Sequence, residues 1–141
     1  MSRIYWDSML LIYLLEENPL YFDRVQWLLQ RSYEREDELF TSCLGLGEVM
    51  AGAARSASPG KFQQIRELID EMGFSYLPFA EAAVKTFARL RGVDRVKSAD
   101  AINLASAAAV GIDLFLTGDK DLTKLYVPGI QFIANFDTSP L

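Results

Sequence analysis

The sequence predicts an α/β domain of three layers, with a central, mainly parallel sheet between two layers of helices. Two observations carry that expectation. Short apolar or aromatic runs at 3–6, 39–43, 74–79, 113–117 and 130–136 alternate with helical stretches, which is the rhythm of βαβ units. Residues 101–110 are polar only at Asn103 and Ser106, so a helix there is buried on most of its surface. The apolar run 113–117 follows almost at once and ends in Thr-Gly-Asp, reading as a central strand and its turn. Such a sheet binds its ligand at the carboxyl ends of its strands. Asp119 would stand there.

Taken in order, the run RIYW abuts Asp7-Ser8, and MLLIYLLEEN beyond reads as a helix stopped at Asn18-Pro19. This is a strand-to-helix turn with Asp7 or Ser8 as N-cap. By itself Asp7 needs no explanation beyond that cap. A second helix is expected over 21–38, with Phe22, Val25, Leu28 and Leu29 on one face. Its tail holds Glu34, Glu36, Asp37 and Glu38 as a solvated end. After the strand candidate LFTSC comes LGLGEVMAGAARS, where Glu48 sits among small and apolar residues. A carboxylate in such company must meet a cation, a donor or water, or else face solvent near the helix start. Gly45, Gly47 and Gly52 weaken that helix but permit close backbone approach.

Ser58-Pro59-Gly60 is a turn, 61–72 an amphipathic helix closed by Gly73, and 74–79 a strand whose Pro78 marks an end or an edge. A helix over 81–91 ends at Gly92. Between 85 and 97 lie Lys85, Arg89, Arg91, Arg95 and Lys97 against Asp94 alone. This patch in an acidic chain is either a solvated face or a contact for a phosphate backbone. Ser98 is the expected N-cap of the central helix. Asp100 then falls in the first turn, where the positive helix end favours an ionised carboxylate. Asp121 and a helical turn over 122–126 lead to Pro128-Gly129 and the final strand 130–136, and the tail 137–141 is expected to fray. No repeat, low-complexity segment or linker interrupts residues 1–141, so one domain is expected.

Composition removes several chemistries. The chain has no histidine, which excludes Ser-His-Asp and Cys-His catalysis, histidine general-base ribonuclease chemistry and histidine-bound zinc. A net charge of -5 argues against holding nucleic acid by bulk positive charge. It leaves open a nuclease whose acids bind divalent ions. The lone cysteine, Cys43, fits a reducing cytosol. No apolar run reaches membrane-span length and no signal-peptide pattern opens the chain, so a cytoplasmic protein is expected.

Asp7, Glu48, Asp100 and Asp119 each fall where a strand hands over to a helix, or in the first turns of an apolar helix. In a parallel sheet those places share one edge. Clustered carboxylates repel and are most easily held together by divalent metal, and oxygen-only ligands suit Mg²⁺ or Mn²⁺. Metal-assisted phosphodiester hydrolysis is the chemistry best matched to these side chains.

The order Asp7-Ser8, then Glu48 in a small-residue helix, then SADAINLASA and LTGDKDL resembles the PIN-domain fold. Within it the chain looks most like the compact bacterial and archaeal toxin ribonucleases of the VapC type. The resemblance covers essentially the whole chain. It implies that Asp7, Glu48, Asp100 and Asp119 bind one or two Mg²⁺ or Mn²⁺ ions for endonucleolytic RNA cleavage. It further implies that Ser8 or Thr117 supports the site and that Asp121 is an auxiliary acid; Arg91, Arg95 and Lys97 of the basic patch are the expected substrate contacts. A homodimer and a cognate antitoxin are the partners it implies. A haloacid-dehalogenase-type phosphatase would need an acid two residues after Asp7, where Met9 stands. A receiver domain would need a phosphoacceptor Asp after the middle strand, where the chain offers Ala80-Glu81. The alternative of another kind is a PIN-like module that binds protein or RNA without cutting.

Overall fold

All five strands run parallel, in the spatial order β3-β2-β1-β4-β5. They are β1 (Arg3–Trp6), β2 (Glu38–Ser42), β3 (Phe74–Leu77), β4 (Ile112–Thr117) and β5 (Ile130–Asn135). The helices are α1 (Ser8–Leu15), α2 (Phe22–Glu34), α3 (Cys43–Ala54), α4 (Lys61–Glu71), α5 (Val84–Gly92) and α6 (Ser98–Val110). Short 3-10 turns occupy Glu81–Ala83 and Leu122–Lys124. This computed structural model describes residues 1–55, 58–139 and 141.

The three-layer expectation holds, and the sheet is wholly rather than mainly parallel. Successive side chains of a strand point to opposite faces, and β1 shows the result. Ile4 and Trp6 enter a core built with α1, α2, α3 and α4, while Tyr5 enters one built with α5 and α6. Tyr5 stacks on Phe115, its register partner in β4, with ring centroids 4.4 Å apart. Trp6 meets Phe74 edge-on at 5.3 Å. Both faces of the central strands are therefore covered, which is why they read as continuous apolar runs.

Two glycines are demanded by packing. A Cβ at Gly45 would sit 2.8 Å from Thr41 Oγ1, so only glycine lets α3 start this close to β2. A Cβ at Gly129 (φ +101°) would lie 2.4 Å from the carbonyl oxygen of Ala108, where the turn into β5 presses on α6.

Several boundaries differ from expectation. The first helix ends at Leu15, three residues before Asn18, whose Oδ1 accepts from the backbone N–H groups of Leu20 and Tyr21 and so shapes the turn into α2. The second ends at Glu34, because the chain turns through a left-handed Glu36 (φ +60°). Glu38 opens β2, and Asp37, expected in solvent, has a fully buried carboxylate. Cys43 is the first, exposed residue of α3 instead of the end of a strand. Ser98 is the first helical residue of α6 and Lys97 occupies the cap position without a side-chain bond. The tail is pinned: Arg24 donates from Nε to the carbonyl of Phe136 (3.0 Å) and from Nη2 to that of Ser139 (2.8 Å). Leu141 packs on the core. Ser56, expected at the end of the third helix, and Pro140 in the tail lie outside the described residues.

Candidate active site

Strand order reverses between β1 and β4, since β2 and β3 lie on one side of β1 and β4 and β5 on the other. A crevice opens at the carboxyl edge of such a switch point. Asp7 leaves β1 and Asp119 follows β4; α3 leaves β2 at this edge carrying Glu48, and α6 runs back from it with Asp100 in its first turn. All four acids line one open cavity of about 320 Å³, together with Ser8 and Asn103.

Asp7 is both cap and site residue. Its Oδ1 accepts from the backbone N–H of Ser8 (2.8 Å) as N-cap of α1, and its Oδ2 accepts from Thr117 Oγ1 (2.9 Å). Thr117 is fully buried, and the same hydroxyl accepts from the backbone N–H of Asp119 (3.1 Å). One threonine thus holds two of the acids. Asp119 Oδ1 in turn accepts from the backbone N–H of Asp121 (2.9 Å), which closes the turn after β4. Buried Ser8 approaches Glu48 at 3.5 Å, Oγ to Oε1.

Three acids of the cluster resist ionisation. Burial, with the charges of Asp100 and Glu48, pushes the Asp7 carboxyl up to about 6 against the pull of the Thr117 hydroxyl. Burial and the charge of Asp100 raise Glu48, while hydrogen bonds from Ser8 and Asn103 lower it. Asp100 is raised by burial and by Asp119, with Lys97 the opposing cation. Asp7, Glu48 and Asp100 therefore each feel another acid, the effect expected when like charges share a partly desolvated space. Among the described residues no three carboxylates are grouped tightly enough to make a finished metal cage. The acids surround the cavity instead of closing on one point.

The remaining expected residues fall around this centre. Arg95 and Lys97 line a second cavity, of about 210 Å³, that shares Asp100 and Asp119 with the first and also includes Asp121. Asp121 itself pairs with Lys124 at 3.7 Å on the surface. Arg91 lines neither cavity; its Nη1 donates to the carbonyl of Val96 (2.9 Å) and braces the loop before α6.

Asn103 and Ser42 are residues of the site that sequence reasoning missed. Ser42 Oγ accepts from the backbone N–H of Gly45 (2.8 Å) as N-cap of α3 and donates to Asn103 Oδ1 (2.5 Å). Asn103 also helps lower the Glu48 carboxyl, and through Ser42, the cap of α3, it ties the helix bearing Asp100 to the helix bearing Glu48. A signal existed: Asn103 is polar in an apolar helix and three residues after Asp100, hence on the same face.

The comparisons with known proteins agree with this architecture. The model of the PIN domain matches residues 4–128. The chain is 36% identical over 121 residues to Ribonuclease VapC47 of Mycobacterium tuberculosis (strain CDC 1551 / Oshkosh), spanning 84% of this chain and 86% of that protein. The structure of VapBC2 from Rickettsia felis bound to a DNA fragment from their promoter aligns with TM-score 0.75 at 14% identity, covering 94% of this chain and 98% of that one. VapBC-5 from Mycobacterium tuberculosis, a member of the VapBC family of toxin-antitoxin systems, aligns with TM-score 0.61 at 20% identity over 96% and 99% of the two chains. The structural likenesses bear on the fold; the family match over most of the chain and the 36% identical relative bear on descent. On these grounds the chain belongs to the PIN domain family.

Proposed function

We propose that this protein is a metal-dependent endoribonuclease that hydrolyses RNA phosphodiester bonds, and that it serves as the toxin of a toxin–antitoxin pair in the cytoplasm. The observation that carries the reading is the gathering of Asp7, Glu48, Asp100 and Asp119 around one cavity, where burial and neighbouring acids raise the carboxyls of Asp7, Glu48 and Asp100 and Lys97 is the opposing cation. Oxygen-only donors fit Mg²⁺ or Mn²⁺. Mg²⁺ keeps several waters and takes one or two carboxylates at a time, so it does not require three acids grouped as one cage. Bound there, such an ion supplies a water activated near neutral pH and charge neutralisation at the phosphate.

The chain's own residues do the positioning. Thr117 and the Ser8 backbone hold both oxygens of Asp7, Asp119 is held through the same threonine, and Ser8 and Asn103 hold Glu48. Arg95 and Lys97, in the adjoining cavity, are placed to take the phosphates flanking the cut. The naming of a 36% identical relative as a ribonuclease supports this assignment, and the toxin–antitoxin systems among the structural neighbours support an antitoxin partner. A homodimer is proposed with it, to be read by light scattering on the purified protein.

The test is cleavage of a panel of single-stranded and structured RNAs with and without Mn²⁺, alongside Asp100→Asn. Metal-dependent cutting lost in the variant is the expected result. No cutting anywhere in the panel, with no metal-induced shift in melting temperature, would leave a non-catalytic binding module as the better reading.

A further inference from the structure

Beyond the acids, the surface continues in one direction. The second cavity, with Arg95 and Lys97, also holds Asp94; a third, again about 210 Å³, begins at Asp94 and is lined by Lys85, Arg89 and Tyr126. One wall of this path is α5 and the loop after it, and the other runs from Leu122 to Pro128. Tyr126 is 85% exposed, while its neighbour Val127 is buried in the core and anchors the backbone beneath it. Among the described residues, Lys85, Arg89 and Arg95 make no ion pair with an acid, and Lys97 acts on Asp100 without closing one.

We propose that this path is a binding track for single-stranded RNA leading away from the acidic cavity, with Tyr126 as the platform on which one base stacks and Lys85 and Arg89 as contacts to its flanking phosphates. The proposal rests on the nuclease reading for what happens at the acids, and adds where the strand goes. Arg95 and Lys97 share their cavity with Asp94, Asp100, Asp119 and Asp121, whereas Lys85 and Arg89 share theirs with Asp94 alone among acids, so the positive end that complements a polyanion lies beside Tyr126. An exposed aromatic beside cations is the pairing that single-strand binders use, because every base has a face to stack. A duplex, whose bases are already stacked, offers Tyr126 nothing to hold. The sequence marked the basic run; it had no means of placing Tyr126 opposite it.

The test measures fluorescence anisotropy of a labelled single-stranded RNA of about 16 nucleotides with chain carrying Asp100→Asn, in chelator. Adding Tyr126→Ala should weaken binding about tenfold, and Tyr126→Phe should restore it to within about twofold, since the ring is what stacks. Lys85→Gln with Arg89→Gln should lower the slope of log affinity against log salt by about 1.4, the share of two phosphate contacts on a single strand. In the active chain, Tyr126→Ala should raise KM for the same RNA and leave kcat unchanged. Unaltered binding in Tyr126→Ala, equal affinity for a duplex, or no binding of RNA by the parent would each overturn the proposal. The two readings separate cleanly. Cutting that needs Asp100 but ignores Tyr126 removes the track and keeps the nuclease. Binding that needs Tyr126 in a chain that never cuts does the reverse.

Discussion

The two ends of the sheet treat acids in opposite ways. At the amino edge the carboxylates of Asp37 and Asp113 are answered. Asp37 accepts from the backbone N–H of Ser2 (2.7 Å) and pairs with Arg35 at 3.0 Å, and Asp113 accepts from the backbone N–H of Arg3 (2.8 Å). Arg3 also donates to the carbonyls of Val110 and Gly111, covering the negative end of α6. At the carboxyl edge Asp7, Glu48 and Asp119 have hydroxyls or backbone N–H groups, and Asp100 has Lys97 as its opposing cation. The difference shows which acids hold the fold together and which burden it. Removing one partner of a buried ion pair is costly, whereas acids gathered around an open cavity repel one another.

The largest effect should come from removing one acid at the carboxyl edge. Asp100→Asn is expected to lower RNA cleavage in Mn²⁺ by about a thousandfold or more, roughly 4 kcal/mol of transition-state stabilisation, with little change in melting temperature. The amino edge should behave in the opposite sense. Asp37→Ala strands the Ser2 N–H and Arg35, and should cost about 2 kcal/mol in urea unfolding while the cleavage rate per folded molecule is kept. If Asp37→Ala abolished cleavage without loss of stability, the contrast between the edges would be wrong.

A second stability measurement sharpens the contrast through pH. The Asp7 carboxyl, at about 6 in the fold, stands above its unfolded value near 4. Its contribution to stability is therefore fully present below pH ~4 and lost as pH rises through ~6. In chelator at pH 8, Asp7→Asn should be more stable than the parent by about 2 kcal/mol, and the gap should close as the pH falls towards 4. Asparagine keeps both contacts, accepting from Ser8 and offering its amide to the Thr117 hydroxyl. A gap that stayed constant with pH would mean that Asp7 is not strained by its charge.

The smallest expected effect concerns the link between α3 and α6. Asn103→Leu removes the partner of Ser42 and Glu48 and should reduce kcat about tenfold, roughly 1.4 kcal/mol. Asn103→Gln or Asn103→Asp would separate geometry from charge: recovery in the amide alone would mark Asn103 as a residue that positions Glu48. A purely structural role would lower Tm and leave kcat per folded molecule unmoved.

Much of this was legible in the chain because it is local or periodic. A strand ending in Asp-Ser before a helix, an acid in the first turn of an apolar helix, and a Thr-Gly-Asp turn after a buried run each place a carboxylate at a strand's end. Parallel order then puts those ends on one edge. Where expectation failed, a long-range or single-residue event was responsible. A left-handed Glu36 ended α2 early, Arg24 reached across the sequence to hold the tail, and Lys97 instead of Ser98 took the cap position of α6.

By itself, then, the sequence determined the α/β class, the buried central helix, the absence of histidine chemistry and the four acids that line one cavity. Those follow from composition, from periodicity and from the rule that parallel strands carry their sites at one edge. Only the tertiary structure decided how the acids are held: Thr117 shared between Asp7 and Asp119, and Ser42 joined through Asn103 to Glu48. It also decided that Tyr126 faces the basic run across a groove. These pairs are joined by side-chain direction between elements far apart in the chain, and no local propensity encodes where two such side chains will meet.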